Sequence, residues 1–256
     1  MKSSPPISPD PLKQVYRESI AQNPGHHEYL ARHRTALLCI DLQYLDAKEG
    51  YGLFRDDGSS PVSREGRDYY FGQLNQVVLP NVRRLQDCFR RHALEVIHVR
   101  IQALTCDGRD RSKGHKRLEL LAAPHSEDAQ FLEEVAPQGD EIVINKTASG
   151  VFSSTNLHYV LKNLGIEALF VTGVYTNECV ETTVRDACDL GYLVSLVDDG
   201  CTTVTSELHE ASLKTLRNRY CRVISTDEAS VDLATFSPET EIVASAHLAS
   251  VPSNDD

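Results

Sequence analysis

Six short apolar runs, each set apart from the next by a polar or helix-patterned stretch, constrain this chain more than any other feature. The first, Thr35-Ala36-Leu37-Leu38-Cys39-Ile40-Asp41, is apolar at every inner position, with no alternation. A strand with no polar side for water must be covered on both faces, which is the condition of a parallel sheet. Runs at Leu94–Ile101, Glu141–Asn145, 168–172, 193–197 and 221–225 read as further strands. Helical segments lie between them: about Tyr69 to Arg91, which Pro80 is expected to kink or divide, then Asn156–Leu164 with Gly165 as its stop, 178–190 and 207–218. Strands alternating with helices predict an α/β fold with right-handed crossovers. The expected architecture is a single-domain, doubly wound, parallel six-stranded sheet of order 3-2-1-4-5-6, with helices on both faces. In that order the first and fourth strands are neighbours.

The domain is expected over 34–235, after an N-terminal arm of 1–33 and before a polar C-terminal tail of 236–256. The arm, with one short helix at about Leu12–Ile20, and several apolar-striped helices point to a homo-oligomer, dimer or tetramer, in which the arm crosses to a neighbouring subunit. With 256 residues the chain can bury a sizeable core. Its net charge of -11 argues against nucleic acid and against an anionic membrane surface as partners. No apolar run approaches a membrane span, and Met1-Lys2-Ser3-Ser4-Pro5-Pro6 lacks the apolar stretch of a signal peptide. The 7 cysteines follow neither disulfide nor zinc spacing, so free thiols and a cytoplasmic location are expected. The Asn145-Lys146-Thr147 sequon is then accidental. Residues 103–118 read as a basic loop. The loop from Tyr44 to Arg67 is long enough for a lid or for substrate contacts.

Three chemical groups converge if the strand order holds. Asp41 ends an apolar strand, where poor solvation should raise its pKa. Lys146 follows the third strand, in Ile144-Asn145-Lys146-Thr147. Cys179 follows the fourth, in Gly173-Val174-Tyr175-Thr176-Asn177-Glu178-Cys179-Val180. A thiol in the first turn of a helix meets free N–H groups and the positive dipole end, which favour thiolate. Thr176 or Asn177 is the expected cap, with Val180, Val184, Ala187 and Cys188 on the helix's buried stripe. Read singly, Cys179 is as readily a packing thiol, Asp41 a strand-end cap and Lys146 a solvated charge. Together they suffice for acyl transfer: the carboxylate takes the thiol proton and the ammonium steadies the negative charge.

The segments Leu38–Gln43, Asn145–Phe152, Gly173–Thr183 and Asp198–Thr203 resemble the isochorismatase-like cysteine hydrolases over about residues 34–228. The resemblance implies an Asp41–Lys146–Cys179 triad and a thioester intermediate. It also implies a cis peptide between Val174 and Tyr175, an oxyanion hole from the backbone N–H groups of Tyr175 and Cys179, and a loop at 198–203 after the fifth strand. The cysteine, which the namesake isochorismatases lack, points to the amidohydrolase branch. The Asp-x-His metal motif of nicotinamidases is absent, since His98-Val99-Arg100-Ile101-Gln102-Ala103 stands there, and His115 and His125 are isolated. No metal and no cofactor are therefore expected. Gln43, Arg100, Gln102 and Asn177 are candidates to bind substrate. His158 and His209 read as surface or core histidines. Tyr44-Leu45-Asp46 departs from the family's commoner aromatic–acidic pattern, a departure that bears on the substrate pocket. The expected activity is metal-free hydrolysis of a small ureide (biuret, triuret or N-carbamoyl type) or a carboxamide. Alternatives are ureidoacrylate, maleamate or nicotinamide-type amides, or a non-catalytic binding protein on the same fold.

Overall fold

The structure, a computed structural model, describes residues 35–234, so the arm, the helix expected at about Leu12–Ile20 and the C-terminal tail lie outside the described residues. In chain order the elements are β1 (Thr35–Ile40), α1 (Tyr44–Ala47), α2 (Arg64–Gln73), α3 (Leu79–Arg91), β2 (Glu95–Ile101), α4 (Lys113–Arg117), β3 (Ile142–Lys146), α5 (Val151–Ser154), α6 (Leu157–Asn163), β4 (Ala168–Val174), α7 (Glu181–Asp189), β5 (Leu193–Thr202), α8 (Ser206–Leu216), β6 (Arg222–Ile224) and α9 (Thr226–Ala234). All five strand pairings are parallel, in the order β3-β2-β1-β4-β5-β6. That is the expected sheet.

All six residues of β1 are buried, because its two faces belong to two cores. Leu37 and Cys39 pack with α2, α3 and α9 through Tyr70, Phe89 and Leu233. Ala36, Leu38 and Ile40 pack with α6, α7 and α8 through Leu161, Val184 and Leu213. The period-2 alternation of strand side chains thus feeds both helical layers from one apolar run.

Several elements differ from expectation for local reasons. The helix expected from Tyr69 begins at Arg64, where Ser63 accepts a hydrogen bond from the Gly66 N–H at 3.1 Å. Its first turn, Arg64-Glu65-Gly66-Arg67, is charged and shows no apolar stripe. Pro80 does divide the segment. It offers no N–H and crowds the carbonyl four residues back, and the chain answers with a wide turn over Leu74–Val78, closed by the Leu79 N–H on Leu74 O. The basic 103–118 stretch contains α4, capped by Ser112. The 198–203 segment, expected as a loop, extends β5 to Thr202 through a register shift between Val171 and Gly173. The 44–67 loop is less free than a lid, since Phe54 is fully buried and stacks on Tyr70 at 4.8 Å.

Candidate active site

The first and fourth strands bring the chemistry together. Ile40 lies opposite Gly173 across the β1–β4 pairing. A Cβ on Gly173, at φ +120°, would stand 2.0 Å from Ile40 O, so only glycine lets the strands pass this closely. Asp41 then leaves β1 in the left-handed region at φ 55°, its N–H donating to Val99 O at 2.9 Å. Asp tolerates that conformation better than most side chains. Lys146 closes β3 and reaches across the end of β2 to Asp41.

The three expected residues meet. Lys146 Nζ lies 2.9 Å from Asp41 Oδ2, donates to Cys179 Sγ at 3.2 Å, and donates to Ala148 O at 3.0 Å. An ammonium has three donors, and these three acceptors match them. The Asp41 carboxylate is thus the anion of an ion pair with Lys146, and both Lys146 and the Cys179 thiol act on it. Asp41 is 1%, Lys146 0% and Cys179 4% exposed, so water screens the group little.

Burial dominates the electrostatics. It raises the Asp41 carboxyl, against the pull of Lys146 and Cys179. Burial alone would lower Lys146, but the charges of Asp41 and Cys179 carry it above its ordinary range. Burial lifts the Cys179 thiol well above its ordinary range; Lys146 opposes this, and Asp41 and Asp46 add to it. The thiolate favoured by helix position is therefore corrected. Burial works against the charge that the start of a helix favours.

The turn carrying Cys179 also differs from a plain first helical turn. Thr176–Val180 is wound wide, Tyr175 precedes it, and no side chain caps it. Thr176, an expected cap, shares a 2.9 Å hydrogen bond with His209 Nδ1, and His209 Nε2 lies 2.9 Å from Asp198 Oδ1. Asn177, the other expected cap and a substrate candidate, accepts from Thr203 Oγ1 at 2.6 Å. These bonds fasten the turn that carries Cys179 to β5 and α8, a role for His209 that its helical position did not suggest. On α7 Val184 and Ala187 are fully buried, whereas Cys188 is half-buried. The Val174–Tyr175 peptide is cis, as the resemblance implies.

Two of the remaining substrate candidates are occupied by the protein. Gln43 is fully buried; its amide donates to Ile101 O at 3.0 Å and Asp128 O at 2.8 Å and accepts from the Ile101 N–H at 2.5 Å. It braces the loops around the site, because a buried amide must pair every polar end. Arg100 is pinned by Asn145 Oδ1 and Ala129 O, each at 2.8 Å, and lies over Phe131. Gln102 keeps a buried Oε1 with no partner. The notable residues missed from sequence are Asp46, 2% exposed, and Glu178, which reaches solvent; both lie within charge range of Asp41 and Lys146. An open cavity of about 510 Å³ lies elsewhere, among Glu49, Arg55, Asp56, Arg64 and Arg67. Its lining includes no triad residue, and buried chemistry is the better guide to the site. Among the described residues no three His, Cys, Asp or Glu side chains gather as a metal site, and no helix is long and apolar enough to cross a membrane.

Comparison with known proteins agrees with the fold. The isochorismatase domain profile matches residues 35–228. The uncharacterized isochorismatase family protein YwoC of Bacillus subtilis is 28% identical over 198 residues, 76% of this chain and 92% of that one. The ureidoacrylate amidohydrolase RutB of Acinetobacter baylyi is 27% identical over 214 residues, 77% of this chain and 82% of that one. The crystal structure of a cysteine hydrolase from Pseudomonas syringae pv. phaseolicola superposes with a TM-score of 0.64 at 22% identity, covering 79% of this chain and 93% of that one, and so shares the fold.

Proposed function

The chain belongs to the isochorismatase family, and from that premise we propose that it is a cysteine amidohydrolase that cleaves a C–N bond of a small ureide or carboxamide. The observation that carries the reading is one buried ammonium touching both a carboxylate and a thiol. Asp41 takes the Cys179 proton as sulfur attacks the substrate carbonyl. Lys146 offsets the charge on Asp41 and on the developing thiolate. The oxyanion sits against the backbone N–H groups of Tyr175 and Cys179. Collapse of the tetrahedral intermediate breaks the C–N bond, and Asp41 returns its proton to the departing ammonia. Water, deprotonated by Asp41, then hydrolyses the thioester and restores the thiol. No metal enters this scheme, since the residues after β2 are Gln102-Ala103-Leu104 rather than an Asp-x-His pair.

The similarity to a ureidoacrylate amidohydrolase supports a carbamoyl-bearing substrate. The test is ammonia release from biuret, triuret, N-carbamoyl amino acids, ureidoacrylate, nicotinamide and plain carboxamides, before and after prolonged EDTA treatment. A ureide should have the highest kcat/KM, and chelation should leave turnover intact. Preference for nicotinamide, or activity lost to chelator and restored by metal, refutes the reading. No turnover across the panel favours a binding protein.

A further inference from the structure

A hydroxyl, an imidazole and a carboxylate stand in line behind the turn that carries Cys179, and the scheme above uses none of them. Thr176 is fully buried, and its Oγ1 shares a 2.9 Å hydrogen bond with Nδ1 of His209 on α8. His209 Nε2 lies 2.9 Å from Asp198 Oδ1 on β5. A carboxylate only accepts, so Nε2 carries the hydrogen of that bond and Nδ1 is left to Thr176. Asp198 is half-exposed, whereas the imidazole is 12% exposed, so little water can replace its two partners. The line runs from the surface to the start of the turn.

What this line holds in place is the backbone between the two N–H groups that receive the oxyanion. Tyr175 and Cys179 are separated only by Thr176, Asn177 and Glu178. The N–H groups on either side of Cys179, those of Glu178 and Val180, turn inward onto Tyr175 O at 3.0 and 3.3 Å. Cys179 O accepts from Thr183 Oγ1 at 2.6 Å. Those bonds shape the turn but do not tie it to the sheet. Two side chains do: Asn177, which accepts from Thr203 Oγ1, and Thr176, which meets His209. Donors to a developing negative oxygen work only when their distance and direction are right, and a misplacement of about 1 Å can cost about 10²-fold in rate.

We propose that His209 is a positioning residue for the oxyanion hole: oriented by Asp198, it holds the Thr176 hydroxyl and so aims the N–H groups of Tyr175 and Cys179 at the substrate oxygen. The assignment rests on the amidohydrolase reading above. It separates two properties of the site. Turnover, which passes through an oxyanion, depends on the line from Asp198 to Thr176. The reactivity of the Cys179 sulfur, which Lys146 and Asp41 govern, does not.

The test compares wild type, Thr176→Val and Thr176→Ser, with thermal melts to confirm folding. Val removes the hydroxyl and keeps the shape; Ser keeps the hydroxyl. One readout is ammonia release from whichever amide or ureide of the panel above wild type turns over best. The other is alkylation by iodoacetamide, followed by mass spectrometry on the Cys179 peptide. There the S–C bond forms as the C–I bond breaks and iodide leaves, with no oxyanion at any point. Thr176→Val should lower kcat by about 10–100-fold with KM within about twofold of wild type, and its alkylation rate should stay at the wild-type value. Thr176→Ser should restore kcat. If Thr176→Val fails to fold, His209→Asn and His209→Leu decide. Asn puts an amide where Nδ1 stood and should turn over faster than Leu, with equal alkylation rates; equal turnover overturns the assignment. Wild-type kcat in Thr176→Val also overturns it and leaves the amidohydrolase reading standing. So does a loss that Ser does not restore, or one shared equally by alkylation, since the thiol itself would then have moved. A wild type that releases ammonia from nothing in the panel refutes both.

Discussion

Lys146 shows how far a single residue can be taken from sequence. Its place at the end of the third strand was legible to within a residue; that its ammonium would face Asp41, Cys179 and Ala148 O at once was not. Because the three side chains act as a unit, their losses should not add. Cys179→Ser should keep the fold and lose nearly all turnover, and quenched mass spectrometry of wild type should find an acyl adduct on the Cys179 peptide. Asp41→Asn should lower kcat by about 10²–10⁴-fold. Activity retained in Cys179→Ala would remove the nucleophile assignment. His115 supports a second prediction. It is 4% exposed with an unpartnered Nδ1, and burial, followed by the charges of Lys146 and Arg111, lowers its pKa from 6.5 to about 4. As pH falls through 6.5 the unfolded chain takes the proton first, so the folded state loses stability until about pH 4. The loss is on the order of 3 kcal/mol. Urea midpoints of wild type should drop across that window more steeply than those of His115→Gln; parallel curves would refute the role.

At the scale of elements, β4 and its turn set the site's geometry. Gly173 matters because β1 runs so close: an added Cβ meets Ile40 O, N and C at 2.0, 2.7 and 2.8 Å. Backbone cannot yield as a flexible side chain can. Gly173→Ala should therefore displace β4 from β1, lower the melting temperature and abolish turnover even though all three triad residues remain. A variant with wild-type stability and activity would show that the approach is not needed. Helix α9 shows the opposite case, an element whose signal was present and overlooked. Ser225 Oγ accepts from the Glu228 N–H at 3.1 Å, and Glu228 Oε2 accepts from the Ser225 N–H at 2.7 Å. That capping box, Ser225-Thr226-Asp227-Glu228, is visible in the sequence and marks a helix start. Its Ala229 and Leu233 are fully buried against the first core.

For the whole molecule, assembly is the open prediction. Leu104, Tyr159 and Val231 stand 74%, 67% and 68% exposed, apolar surface that a second copy can bury. Light scattering should find a dimer or larger; a monomer at micromolar concentration would refute it. The sequence by itself determined the sheet, because continuous apolar runs such as Thr35–Ile40 have no stable place except between two covered faces. Right-handed crossovers then left few orders for six strands. It also placed Asp41, Lys146 and Cys179 at strand ends that this order brings to one rim. Only the tertiary structure decided their charge states and the pocket around them. The thiol's proton depends on burial and on Lys146, not on its helix position alone. Gln43 turned inward to brace Ile101 and Asp128, while Asp46, an ordinary acid in a loop sequence, became buried with an unpaired oxygen. Periodicity reports which face of an element is buried. Desolvation and hydrogen-bond pairing depend on residues distant in the chain, and they exist only once the chain has closed around them.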